Sequence, residues 1–220
     1  MPGAIFPGAA LFRDDAAGAF AADEVAFVAS GTEAVHRGLL GLTEATGRAG
    51  IVHSAVEHSA VLHAAAWHDS PAHVVVPVDS VGRVEVDALQ AAAERPGVGA
   101  VALQAANQEV GTRQPVDDLD LPPGVPLLVD AAAAAGRIPL PTQWQVLTAS
   151  ARKWGGPAGV GVLVVRRGTR WTSPFPGEGG LDGRTTTGAG SPRPISAPTS
   201  HTTPISATLS FLDRLCHPLS

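Results

Sequence analysis

Seven short apolar runs recur through the first three quarters of the chain, and helical or polar stretches separate them. Most of these runs are continuous rather than alternating, which is typical of strands covered on both faces. Three of the intervals carry a helical pattern, at 32–46, 58–68 and 86–94. The predicted strands are 25–30, 50–54, 73–78, 99–105, 126–130, 145–150 and 159–165.

Repeated strand, helix and strand segments predict an α/β fold with a mostly parallel seven-stranded sheet and helices on both faces. In such sheets ligands bind beyond the carboxyl ends of the strands, which is where the polar motifs of this chain fall. We expect three regions: an N-terminal arm at 1–24, a core domain at 25–170, and a tail at 171–220. The tail is rich in Gly, Pro, Ser and Thr and ends in a short helix-like segment, 205–215.

Charge, apolar run length and cysteine count limit the kinds of partner and the cellular compartments to be expected. The net charge is −5 without a basic run, which argues against nucleic acid and favours a small molecule. No apolar stretch approaches the roughly 18–20 residues of a membrane span, and no charged region precedes the first apolar residues as in a signal peptide. The single cysteine, Cys216, excludes an internal disulfide and favours a reducing compartment, so the cytoplasm is expected.

Lysine is rare here: Lys153 is the only one among fifteen basic side chains, and the others are arginines. An arginine guanidinium stays protonated and cannot form an imine, whereas a buried lysine amine can become a nucleophile. The alternative is a chance surface lysine. Ser150-Ala151-Arg152-Lys153 follows an apolar run, which places the amine just past a strand end.

Asp130 ends the preceding predicted strand. Since neighbouring parallel strands bring their carboxyl ends to one sheet edge, we expect Asp130 and Lys153 to flank a single ligand. An aspartate there could pair with the protonated ring nitrogen of pyridoxal 5'-phosphate (PLP). Capping of the following alanine run as a helix is the other interpretation of Asp130.

Two polar motifs mark predicted helix starts. Ser30-Gly31-Thr32-Glu33 offers small residues and free backbone N–H groups, which suit a phosphate, although an ordinary N-cap is the commoner explanation of such a motif taken alone. Val56-Glu57-His58-Ser59 offers an imidazole that could stack on a cofactor ring and move protons near neutral pH. No set of His, Cys and carboxylates has zinc spacing, so no metal is expected.

Taken in order, these motifs resemble the cysteine desulfurase branch of the class V aminotransferases, which are PLP-dependent transferases of fold type I. Order and spacing agree over residues 25–165. The resemblance implies that 25–170 is the PLP-binding large domain. The motifs are Ser30-Gly31-Thr32-Glu33, Val56-Glu57-His58, Asn107-Gln108-Glu109-Val110-Gly111, Val129-Asp130-Ala131, Ser150-Ala151-Arg152-Lys153 and Gly155-Gly156-Pro157-Ala158-Gly159-Val160-Gly161.

The resemblance assigns three catalytic roles: Lys153 holds PLP as a Schiff base, Asp130 pairs with the pyridine nitrogen, and His58 stacks over the ring and shuttles protons. Further residues would bind the cofactor's phosphate and phenolic oxygen: Gly31, Thr32, Ser150 and Arg152 for the phosphate, and Gln108 for the oxygen. Three positions depart from the family pattern. Arg152 stands where histidine is usual, Gln108 where asparagine is usual and Ala133 where glutamine is usual.

The implied function is cleavage of a C–S bond in cysteine or a cysteine-derived substrate, by β-elimination because that route needs no persulfide-forming cysteine. Cys216 adjoins His217 and could be activated, but an inert cysteine is the commoner case. The segment 177–188, with Arg184, resembles the loop that reaches a neighbouring subunit's phosphate, which implies a homodimer. The family's small domain has no counterpart here, so a PLP-binding subunit that needs a partner chain is one alternative, and an aminotransferase is another.

Overall fold

The computed structural model describes residues 25–175, which form a seven-stranded sheet in the order β1-β7-β6-β5-β4-β2-β3. Strand β7 is antiparallel to both neighbours, and the other four ladders are parallel. The predicted α/β class with a mostly parallel seven-stranded sheet is therefore confirmed. The strands are β1 (Val25–Val28), β2 (Gly50–Ser54), β3 (Val74–Val76), β4 (Val98–Gln104), β5 (Leu127–Asp130), β6 (Val146–Ser150) and β7 (Gly161–Val165).

Helices cover both faces of the sheet, as predicted. Helices α1 (Gly31–Thr46) and α2 (Ser59–Ala66) pack on one face, and α3 (Val86–Ala93) packs on the other. Alternate residues of each strand enter the two cores, which explains the continuous apolar runs: every residue of β4 is buried. Two short 3-10 helices complete the described elements, at Val116–Asp118 and Ala151–Trp154.

Gly38 has no side chain, which lets Leu128 of β5 pack directly against the backbone of α1. A Cβ at Gly38 would come within 2.5 Å of Leu128 Cδ1, so the leucine fills the space that a larger residue would take. Leu128 is fully buried and stands two residues before Asp130. This contact therefore sets the position of the strand whose end carries the carboxylate.

Element ends match the predicted ones or differ from them by one or two residues, and the starts of α2 and β7 have local causes. Helix α2 begins after His58, whose extended backbone makes it the N-cap. Strand β7 begins at Gly161 because 151–160 is occupied by a 3-10 helix and a turn. The alanine run after Asp130 forms turns rather than a helix, with Ala135 N donating to Ala131 O at 2.8 Å.

Several expectations concern residues outside 25–175: the arm at 1–24, the loop 177–188 with Arg184, the segment 205–215, and Cys216. The division into three regions stays a prediction. Trp171, just beyond the expected core boundary, is buried in the α1 side of the core and donates from Nε1 to Arg37 O at 3.2 Å.

Within residues 25–175, none of the helices combines the length and the apolar character needed to span a bilayer.

Leu128→Ala should reduce the free energy of unfolding by about 2–5 kcal/mol, because it leaves a cavity between α1 and β5 that Gly38 cannot fill. Leu62→Ala on α2 is the matched control, since Leu62 is 38% exposed and should change stability by no more than about 0.5 kcal/mol. Urea denaturation of both variants measures the difference. Equal losses in the two variants would contradict the packing described.

Candidate active site

A cavity of about 250 Å³ opens at the carboxyl edge of the sheet, between the ends of β4, β5 and β6 and the start of α1. This is smaller than the roughly 300–1,000 Å³ of drug-sized sites and suits a compact ligand. All eight residues predicted from the sequence line it: Gly31, Thr32, His58, Gln108, Asp130, Ser150, Arg152 and Lys153. Ala133, the position where glutamine is usual, also lies in the lining.

The start of α1 lies in close contact with the end of β6 and with the start of β7. A Cβ at Gly31 would lie 2.7 Å from Ser150 Cβ, and one at Gly161 would lie 2.1 Å from Ser30 O. Neither contact leaves space for any side chain. The first turn of α1 therefore packs directly against the end of β6, three residues before Lys153.

The start of α1 is capped by a side chain and still has free backbone donors. Ser30 is the N-cap, and its Oγ accepts from Glu33 N at 3.0 Å. The Glu33 carboxylate accepts from Ala29 N at 2.9 Å, which closes the turn. The backbone N–H groups of Gly31 and Thr32 have no acceptor among residues 25–175. Capping by Ser30 thus leaves two donors and the positive end of the helix dipole facing the cavity.

Lys153 lies in the 3-10 helix after β6, half-buried, and its Nζ donates to Gln108 Oε1. The backbone around it is held at three points. Ala151 N donates to Val160 O at 3.0 Å, Gly156 N donates to Ala151 O at 2.9 Å, and Arg137 Nη2 donates to Lys153 O. The amine therefore projects from a rigid turn rather than from a surface loop.

Asp130 is buried at the end of β5. Its Oδ1 accepts from Ala132 N at 2.9 Å and from Thr148 Oγ1 at 3.5 Å, while Oδ2 has no donor among the described residues. Burial raises the pKa of Asp130, and the Ala132 hydrogen bond, the nearby His58, the Thr148 hydrogen bond and Lys153 each lower it in part. A cation placed in the cavity would stabilise the ionised carboxylate.

His58 caps α2 with its ring. Its Nδ1 accepts from Ala60 N at 3.1 Å, so a neutral ring carries its proton on Nε2. The residue is exposed and lines the cavity. Helix capping therefore fixes both the orientation and the tautomer of this imidazole.

Four buried polar residues next to the cavity were not predicted: Ser54, Glu57, Gln104 and Thr148. Gln104 lines the cavity directly. The sequence contained a signal for three of them. Ser54, Gln104 and Thr148 are polar residues inside or at the end of apolar runs, where burial of a side chain without a polar partner would be costly.

Comparisons with known proteins agree with the geometry. A family model described as aminotransferase class V matches residues 13–211. A cysteine desulfurase of Cereibacter sphaeroides is 38% identical over 161 residues, which is 69% of this chain and 41% of that protein. Two solved structures each superpose on 88% of this chain. A NifS-like protein has a TM-score of 0.70 and 26% sequence identity, and the match covers 52% of it. DndA of Streptomyces lividans has a TM-score of 0.68 and 29% sequence identity, and the match covers 55% of it. The chain spans about two fifths of the curated relatives' length.

Asp130→Asn should raise the free energy of unfolding at pH 7 in the absence of ligand. The folded-state pKa of Asp130 lies above its ordinary 3.8, so the carboxyl costs stability as the pH rises above that value, whereas asparagine does not titrate. The gain should shrink as the pH falls toward 3.8. Thermal unfolding at pH 4 and pH 7 measures it, with the exposed Asp118→Asn as control. A stability loss at pH 7 would contradict this account of the site.

Proposed function

We propose, on the premise that the chain belongs to the class V aminotransferase family, that it is a PLP-dependent, cysteine desulfurase-like enzyme that cleaves a C–S bond. The observation that carries the proposal is one cavity lined by the only lysine, a buried aspartate and an imidazole. The cysteine desulfurases among its relatives, at 30–40% identity, support the reaction class.

The residues present fit PLP at four of its groups. The Lys153 amine can bind its aldehyde. The buried Asp130 has an oxygen without a donor, which suits a protonated ring nitrogen. The free N–H groups of Gly31 and Thr32, with Ser150 and Arg152 beside them, suit its phosphate. Gln108 already meets Lys153 and lies where it could reach the phenolic oxygen.

When bound, PLP supplies an electron sink for the carbanion left by loss of the substrate's α-proton. Asp130 would keep the ring nitrogen positively charged. Lys153 is the better base for the α-proton, because the Nδ1 lone pair of His58 is occupied by Ala60 N and the other ring nitrogen, Nε2, is then a donor. His58 would accordingly protonate the departing sulfur group.

The described residues contain no cysteine, which favours β-elimination over transfer of sulfur to a protein thiol within 25–175. The substrate class is cysteine or a cysteine-derived thioether or sulfoxide. A second candidate is a PLP-binding domain that turns over only with a complementing partner chain, which would supply substrate clamping and closure. An aminotransferase is a third outcome that the product analysis below separates.

A homodimer and a cytoplasmic location belong to the same proposal. The resemblance of 177–188 to a loop that reaches across a two-fold interface supports the dimer. Sedimentation of the PLP-loaded chain should give a dimer, and a monomer under conditions of turnover would contradict this part.

The PLP-loaded chain should show a visible absorption band that borohydride removes, with a mass increase located on Lys153. Lys153→Arg keeps the positive charge but cannot form the covalent bond, so it should lose both signals completely. Arg170→Lys is the matched control, since it adds an exposed amine away from the cavity and should take no label there. A wild-type chain that takes up no PLP would refute the cofactor assignment.

Products identify the reaction. β-Elimination from cysteine should release pyruvate and sulfide in equal amounts, desulfuration should release alanine, and transamination should release a keto acid without sulfide. Asp130→Asn should lower the elimination rate by at least about 100-fold, because it removes the charge opposite the ring nitrogen. Release of pyruvate at an unchanged rate would contradict the role of Asp130.

A further inference from the structure

A cluster of buried polar side chains lies beside the cavity, where β2 and β4 end. Its members are Ser54, Glu57, Gln104 and Asn107, each no more than 9% exposed. Glu57 is the only ionisable member, and none of the roles proposed above uses it. An ionisable side chain at this depth needs an explanation, because burial of an unpaired charge is costly.

Glu57 ties two strand ends together. Its Oε1 accepts from Ser54 Oγ at 2.7 Å and from Gln104 N at 3.0 Å. Ser54 ends β2 and Gln104 ends β4, and these strands are parallel neighbours. One carboxyl oxygen therefore joins both strands at the edge where the cavity opens.

The turn that contains Glu57 is held from its other side as well. Val56 O accepts from Gln104 Nε2 at 2.6 Å and from Asn107 Nδ2 at 3.1 Å. His58 follows directly as the N-cap of α2. The position of the imidazole thus depends on how firmly 55–57 is anchored to β4.

The charge of Glu57 follows from its surroundings. Its Oε2 is buried and has no hydrogen-bond partner among residues 25–175, and no ion pair with Glu57 occurs there. Burial raises the pKa of Glu57 to about 8, the Ser54 and Gln104 hydrogen bonds oppose this rise, and the nearby Asp130 adds to it. Asp130 on β5 is the only charged group among the described residues that acts on Glu57 in this way.

We propose that Glu57 is a positioning residue, a neutral carboxylic acid that anchors the 55–57 turn to β2 and β4 and thereby holds the His58 imidazole at the cavity of Lys153 and Asp130. Neutrality also leaves Asp130 as the one buried acidic residue within 25–175 that could supply a negative charge to a cationic ring. The inference rests on the proposed function, which makes His58 a cofactor-facing group.

Hydrogen exchange of the full chain without PLP tests the anchoring. Glu57→Ala should speed amide exchange in 55–61 by about tenfold or more while α3 is unchanged, because the strand ends lose their shared acceptor. Glu57→Gln keeps a carbonyl oxygen at Oε1 and should restore most of the protection. Should Glu57→Ala fail to fold, Ser54→Ala removes one donor only and should give a smaller effect in the same segment. Unchanged exchange in a folded variant overturns the proposal.

The pH dependence of unfolding tests the neutral state, again without PLP. Because the folded-state pKa is raised, the stability linked to the Glu57 proton is complete below about pH 4.5 and is lost as the pH rises to about 8. The unfolding midpoint of Glu57→Gln minus that of the wild type should therefore climb across this window and then level off. The exposed Glu85→Gln is the control and should show no trend. If this difference in unfolding midpoint does not change with pH, the proposal that Glu57 is neutral is overturned.

PLP titration links the anchor to the site. Glu57→Ala should weaken PLP binding by about tenfold and shift the visible band, and Glu57→Gln should recover most of the affinity. Unchanged affinity and band in Glu57→Ala would overturn the positioning role. If the wild type takes up no PLP, the proposed function fails, and the exchange and pH measurements still decide whether Glu57 anchors the turn as a neutral group.

Discussion

The lateral register of β4, β5 and β6 is the constraint on which the site depends. Gln104, Asp130 and Thr148 stand side by side in these parallel ladders. A slip of one residue would turn Asp130 to the opposite face of the sheet and replace it with an apolar side chain. The register is held by fully buried residues that enter both cores, such as Leu128 and Val129. The geometry of the candidate site is therefore set by the packing of apolar residues that directly precede Asp130.

Much of the sheet was predictable because its strands are buried on both faces and so appear as uninterrupted apolar runs. The adjacency of β5 and β6 was predictable too, and it brings Asp130 and Lys153 to one edge. The placement of β7 between β1 and β6 was not, because Val25 pairs with Val164 across most of the described chain and no local pattern encodes such a partner. The predicted end of α2 was two residues too late, because Trp67 and His68 continue the helical pattern of the sequence but lie beyond Ala66, the last helical residue.

Residues that would touch the cofactor directly were accessible to sequence reasoning, since the polar motifs that carry them follow apolar runs or precede predicted helices, and parallel strands bring such positions to one edge of the sheet. Their catalytic roles remain predictions. Glu57 was not found, because its partners are Ser54 and the distant Gln104, and a glutamate before a helix ordinarily indicates a solvated first turn. What distinguishes Glu57 is its burial, which can be seen only in the folded structure.

The capping bond between His58 and Ala60 has a consequence for substitution at this position. Because Nδ1 accepts from Ala60 N at 3.1 Å, the side chain that lines the cavity is also the one that begins α2. An apolar residue at this position would therefore remove a helix cap together with an imidazole, whereas asparagine, a good N-cap residue, would remove the imidazole alone.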